Sequence, residues 1–179
     1  MAKKGIRYAV FARLGTDGTY TDGVNISPVA GFNGNHIVSN NADYGDDVIQ
    51  ERDTTVTGGT LSVELNNDED EIYTFLLGHS AATGSDTAIE FKEGDEAPFV
   101  GVGAIGKSGS KWVAKWYAKV KFREPNDDNA TRQESTTYNH ITIEGDIYIP
   151  DNAPWKLRET FVTLAAAKTW LNTKAGITE

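Results

Sequence analysis

Apolar and polar side chains alternate with a period of two along several stretches of this chain. The clearest covers residues 111–123, where the even positions are apolar and most odd positions are lysine or arginine. A second covers residues 138–149, where four isoleucines and a glycine alternate with polar groups. Successive side chains of a strand point to opposite faces, so this pattern predicts half-buried strands. The predicted fold class is mainly β, with two packed antiparallel β-sheets in a sandwich or barrel-like arrangement.

Two segments depart from this period and predict helices. The first follows Asn67 or Asp68 as N-cap, carries acids up to Glu71 where the helix dipole favours negative charge, and closes at Gly78. The second covers residues 163–175, with Gly176 beyond its end. We therefore expect one α-helix flanking the sheets and a short C-terminal helix.

Residues 33–57 are polar and too weakly periodic to predict a helix or a strand. A long loop is expected here, and such loops in compact domains are usually functional or disordered. With 179 residues and an ordinary content of apolar groups, the chain is expected to fold as one domain, 1–179. The loop contains five acids: Asp43, Asp46, Asp47, Glu51 and Asp53.

The net charge of −9 is unevenly distributed. It argues against a protein that binds nucleic acid by neutralising phosphates, yet residues 107–123 carry six bases and no acid. This basic strip is open to two interpretations, a nucleic-acid patch or one side of a head-to-tail contact between copies, and we favour the second. In strand 111–123 the aromatic side chains fall opposite the lysines, so the candidate basic contact face is Lys111, Lys115, Lys119, Lys121 and Arg123.

No motif in the chain predicts a catalytic residue, a cofactor or a metal site. There is no cysteine, and His36, His79 and His140 are too far apart for a ligand pair, so each is interpreted as a surface or strand residue. Residues 101–106 match G-x-G-x-x-G, but turn residues follow instead of a helix, which favours tight strand packing and a hairpin over a dinucleotide site. Neither a signal peptide nor a membrane-spanning run is predicted.

Several segments, in their order and spacing, resemble the major tail proteins of siphophages, particularly of phages that infect Gram-positive bacteria. They are KGIRYA at 4–9, GGTL at 58–61, WYAKVKFREP at 116–125, ITIEG at 141–145, Trp155, and AKTWLN at 167–172. The resemblance spans nearly the whole chain and contains no catalytic signature.

This resemblance implies a tail tube protein whose copies form hexameric rings, which stack into a non-contractile tube for DNA ejection. It implies a place in the virion, assembly in the host cytoplasm, and contacts with the tape measure protein and the tail-end proteins. Passing DNA would not be bound specifically, because an acidic lumen repels phosphate. The resemblance also implies that the acidic loop at 40–53 contacts other subunits or rings, with its five acids, Asp43, Asp46, Asp47, Glu51 and Asp53, as the candidate contact residues. The alternative is a monomeric β-sandwich binding or adhesion module of a phage or bacterial surface assembly, with a ligand groove rich in exposed aromatics.

Overall fold

The computed structural model of the protein describes residues 3–26, 28–45, 48–84, 88–126 and 140–177. In these ranges the chain is mainly β, as the alternation predicts, and ends in an α-helix. The strands are β1 (Lys3–Leu14), β2 (Tyr20–Val24), β3 (Val29–Val38), β4 (Asn41–Gly45), β5 (Val48–Asp53), β6 (Val56–Leu65), β7 (Ser80–Ala81), β8 (Ile89–Glu90), β9 (Val100–Ser108), β10 (Lys111–Arg123), β11 (Ile141–Ile147) and β12 (Lys156–Phe161). A π-helical turn spans Ile72–Leu76, and the helix α1 spans Leu164–Lys174.

Eight strands form one antiparallel sheet in the order β2-β1-β9-β10-β11-β6-β3, with β12 also paired to β10. The sheet folds over so that β3 packs near β10, where Phe32 lies 5.8 Å from the Tyr117 ring between centroids. The two predicted packed sheets are thus two layers of one continuous sheet. The first layer contains β2, β1, β9, β12 and the start of β10; the second contains the end of β10, β11, β6 and β3.

Strand β10 joins the two layers by changing its partner. Its first half pairs with β12 up to Tyr117, and its second half pairs with β11 from Val120 onward. The register against β9 shifts between these two residues. As a result, Trp116 faces α1, whereas Tyr117 and Val120 both face the space between the layers. The irregularity therefore reverses which face of β10 is buried in the inner core.

The inner core fills the space between the layers. Its fully buried members include Phe11 of β1, Leu61 and Val63 of β6, and Ile143 of β11. Phe11 meets Phe122 edge to face, with 6.1 Å between ring centroids. Such aromatic pairs add about 1 kcal/mol to the stabilisation that comes from burial alone.

The helix α1 covers the outer face of the first layer. Its predicted position is confirmed: Thr163 accepts a hydrogen bond from the Ala166 N–H at 3.3 Å, and Gly176 beyond the helix has φ +70°. Leu171 is fully buried against Trp116 and Val10. Burying a leucine side chain stabilises by about 2 kcal/mol, so this face of the helix holds it on the sheet.

The helix predicted from the acidic cap is shorter than expected and lacks the expected side-chain cap. Residues 70–76 are helical, with Asp70 and Glu71 at the start, and Ile72–Leu76 form a single π-helical turn. Asn67 donates to the Glu69 carboxylate at 3.0 Å. Ile72 and Leu76 are fully buried in the inner core, so packing and not capping fixes this turn.

The long loop predicted at 33–57 is wrong. Most of this stretch lies in β3, β4, β5 and β6. The period of two is weak here because β4 and β5 are exposed on both faces, and alternation marks a strand only where one face is buried.

Candidate interaction surfaces

Strands β4 and β5 form a hairpin that stands apart from the large sheet, which we call the arm. Among the described residues these two strands pair with each other and with no other strand. The base of the arm is closed where the Ser39 N–H donates to the Thr55 carbonyl at 2.7 Å. The carboxylate of Asp53 accepts from the hydroxyl and the N–H of Thr55, at 2.6 and 3.0 Å. These hydrogen bonds hold the pKa of Asp53 below its ordinary value, so the arm keeps this charge.

The arm has one acidic face. Asn41 pairs with Asp53 and Asp43 pairs with Glu51, so these four side chains share a face. The structure therefore brings together three of the five acids predicted as contact residues. Asp46 and Asp47 lie outside the described residues.

The opposite face of the arm exposes two large apolar side chains beside Arg52, which sequence reasoning missed. Tyr44 pairs with Ile49, and these residues are 66% and 44% exposed. Ile37 and Val38, at the end of β3 where the arm begins, are 60% and 47% exposed. The signal that could have revealed this surface is the presence of β-branched and aromatic residues inside an otherwise polar stretch.

A cavity of about 430 Å³ lies between the start of β3 and the first layer, and we call it the basic pocket. Three of its described lining residues are cations, Lys107, Lys115 and Arg158, and one is an acid, Glu64. Lys115 and Arg158 are cross-strand neighbours on β10 and β12, which is why the pocket has a basic wall. Phe32 and Val113 supply apolar lining.

His36 lies beside this pocket. Its pKa is lowered by partial burial and by the nearby charges of Lys156 and Lys115. The Lys156 Nζ lies 3.1 Å from the His36 Nε2. An ammonium has no lone pair to offer, so the ring nitrogen accepts and His36 is neutral in this arrangement. Positive potential in this region therefore comes from the lysines and Arg158.

The predicted single basic contact face does not exist as one surface. Lys115 lies on the side of β10 that faces the inner core, and alternation places Lys111 on the same side. Both lysines lie past the end of the apolar core. Lys121 and Arg123 lie on the opposite side, since they follow the irregularity at residues 117–120. Lys119 stacks on the Phe99 ring with 4.3 Å from Nζ to the centroid. Alternation assumes a regular strand, and the change of partner in β10 cannot be read from local sequence.

In the part of the chain that the structure describes, no helix packs on the outer side of the second layer, which presents a polar face. Aligned residues cross it in rows; one row runs from Asn35 through Thr60 and Asp146 to Lys121, and the next from Asn33 through Ser62 and Glu144 to Arg123. Two cations of this face are held in ion pairs, Arg123 with Asp146 at 3.0 Å and Lys121 with Glu96 at 2.6 Å. We define the polar face by the eight residues of these two rows and by two more, Glu64 and Thr142: Asn33, Asn35, Thr60, Ser62, Glu64, Lys121, Arg123, Thr142, Glu144 and Asp146. At the edge of this face, Asn33 and Glu64 also form part of the rim of the basic pocket.

The G-x-G-x-x-G segment lies within β9 and is followed by a turn into β10, as the sequence predicts. A Cβ on Gly101 would lie 2.3 Å from the Trp116 ring, and one on Gly103 would lie 2.7 Å from Leu171. These two glycines make room for the α1 interface, which confirms that they serve packing.

A scan of the chain against protein-family models finds no match, and a search of the curated proteins finds none either. Within the described ranges, three or more side chains able to ligate a metal do not come together anywhere. Each described helix is too short or too polar to cross a membrane.

Proposed function

We propose that this chain is a structural virion protein that assembles with copies of itself into stacked hexameric rings, forming the tube of a non-contractile phage tail. The observation that carries this proposal is the arm. A two-stranded hairpin alone is marginally stable in water, and this one exposes Tyr44 and Ile49 on one face. A projecting element of this kind gains its packing from another molecule.

Open sheet edges support self-association. Among the described strands, β2 and β3 end the path of the large sheet, and β12 is a further edge of the first layer. Unpaired edges are templates for another strand, and a closed ring satisfies each edge without uncontrolled aggregation. Ring formation therefore uses a feature that would be a liability in a monomer.

The polar face supports a lumen-lining role. The first layer is covered by α1, whereas the second layer presents small polar groups and acids to solvent. Arg123 and Lys121 are paired with acids, which reduces their attraction for phosphate. We propose that this face lines the tube and lets DNA pass without binding it. Tape measure and tail-end proteins are the further partners that this function requires.

The alternative, a monomeric binding module, requires a groove of exposed aromatics. The exposed aromatic side chains of the described residues lie apart: Tyr44 on the arm, Phe91 beside Tyr73, and Tyr148 beside Phe99. These positions do not form a shared groove, so this geometry favours the tube.

Negative-stain electron microscopy with light scattering, over a series of protein and salt concentrations, tests the proposal. We expect rings or hollow tubes from the natural protein. The double variant Tyr44→Ser/Ile49→Ser should remain unassembled, because it removes the exposed apolar face of the arm. Val162→Ser is the matched control, since Val162 is 79% exposed elsewhere and its loss should leave tubes intact. A natural protein that stays monomeric throughout the series contradicts the proposal.

A further inference from the structure

We propose that the acidic face of the arm on one copy binds the basic pocket on the next copy. This inference rests on the proposed self-assembly and adds the acceptor site for the arm. The partner is a second copy of this chain, and the contact is between carboxylates and the cations Lys107, Lys115 and Arg158.

Charge complementarity is the first argument. The described residues of the arm carry three carboxylates against one arginine, Arg52. The described lining of the pocket carries three cations against one carboxylate, Glu64. The arm therefore has an excess of negative charge and the basic pocket an excess of positive charge, so the two surfaces attract each other.

The position of the two surfaces is the second argument. The pocket is lined by the start of β3, including Phe32, and the arm leaves after its last residue, Val38. The two surfaces are therefore separated along the strand, by roughly 20 Å between these residues at about 3.3 Å per residue. A donor and an acceptor at opposite ends of one strand make a head-to-tail contact, which closes into a ring or continues along a stack according to the rotation between copies.

The size of the pocket limits what enters it. A cavity of about 430 Å³ holds a few side chains and not a whole hairpin. The acidic face offers such a set, with Asp43 and Glu51 paired across the two strands. Phe32 and Val113 in the pocket lower the local exposure to water, which strengthens ion pairs formed there.

Disulfide cross-linking tests the contact directly, because the natural chain contains no cysteine. Asn41→Cys places a thiol on the acidic face, and Ser108→Cys places one in the pocket lining. Mixing the two single-cysteine proteins and oxidising them should give a cross-linked dimer on a non-reducing gel. Thr142→Cys, on the polar face, replaces Ser108→Cys in the control mixture and should give far less.

Charge reversal tests the chemistry of the contact. Arg158 is exposed, so Arg158→Glu should leave the fold intact while lowering the yield of the arm-to-pocket cross-link roughly tenfold. Glu51→Arg on the partner copy should restore the yield. Arg123→Glu, which makes the same change of charge on the polar face, is the control and should have little effect.

The outcomes separate this inference from the proposed function. Tubes that form normally with Arg158→Glu, together with a cross-link no stronger than the Thr142→Cys control, overturn the inference and leave the tube proposal standing. A specific cross-link in small oligomers of a protein that never forms tubes supports the inference and contradicts the tube. Absence of both tubes and cross-link overturns both.

Discussion

His79 is bound between two carboxylates, whereas the sequence suggested a surface or strand residue. Its Nδ1 lies 2.7 Å from Asp95 and its Nε2 lies 2.9 Å from Glu124, and its side chain is 9% exposed. Burial lowers the pKa of His79, but hydrogen bonds to Asp95 and Glu124 outweigh burial and raise it above the ordinary value. Both ring nitrogens can donate only when the imidazole is protonated. The charged form therefore links the chain after the π-helical turn to the end of β10.

Stability should consequently fall as the pH rises through the folded-state pKa of His79. A raised pKa contributes stability that is fully present below the unfolded pKa, about 6.5, and is lost as the pH rises through the higher folded-state pKa. We expect this loss to be small, because Glu124 is exposed and its pair with His79 is screened by solvent. Thermal unfolding between pH 5 and pH 9 measures this. His79→Gln should flatten the dependence, and an unchanged profile in that variant would show that another group is responsible.

The three glycines of the G-x-G-x-x-G segment should differ in their tolerance of a methyl group. Gly101→Ala would bring Cβ to 2.3 Å from Trp116, and Gly103→Ala would press on Leu171 and Trp116. Each should lower the free energy of unfolding by about 2 kcal/mol, the usual range for an overpacked core. Gly106→Ala is the matched control, since its nearest neighbour would lie at 3.6 Å. Urea unfolding measures the free energy of unfolding of the three variants. An equal loss in all three would contradict this packing role and indicate a requirement shared by all three glycines.

At the scale of elements, the arm should be dispensable for folding and essential for assembly. Its strands pair with each other and not with the described strands of the large sheet. Ser39 and Thr55 are already hydrogen bonded at its base, so Asn-Gly in place of residues 40–54 can close β3 onto β6. We expect a melting temperature close to that of the natural protein and no tubes in the microscope. A large fall in the melting temperature would show that the arm packs on the body.

The elements that the sequence predicts well are those with one buried face. Strand β10 and helix α1 lie where alternation and capping place them, because local pattern and burial agree there. The arm escaped prediction because both of its faces are exposed. The sequence also did not predict that the basic residues of β10 lie on two sides of the strand. This arrangement arises because β10 pairs first with β12 and then with β11, and no short stretch of sequence encodes pairing between distant segments.

At the scale of the whole molecule, sheet order is the part of the fold that the sequence does not reveal. The pairing of β1 with β9 and of β6 with β11 joins segments far apart in the chain. The basic pocket depends on that order, since β3, β9, β10 and β12 each supply lining residues. The alternating pattern thus predicts the class of fold, while the candidate acceptor site requires the three-dimensional arrangement.

Assembly through the arm and the basic pocket should weaken as salt is added. Exposed charges are screened over about 10 Å at 0.1 M ionic strength and about 3 Å at 1 M. We expect the protein concentration needed for half-maximal tube formation to rise severalfold over this range, measured by light scattering. Arg158→Glu should flatten this dependence, because it removes one of the attractive charges. Apolar contact through Tyr44 and Ile49 would instead strengthen or persist at high salt. The direction of the salt effect therefore shows which face of the arm supplies most of the contact energy, and a rise in assembly with salt would assign it to the apolar face.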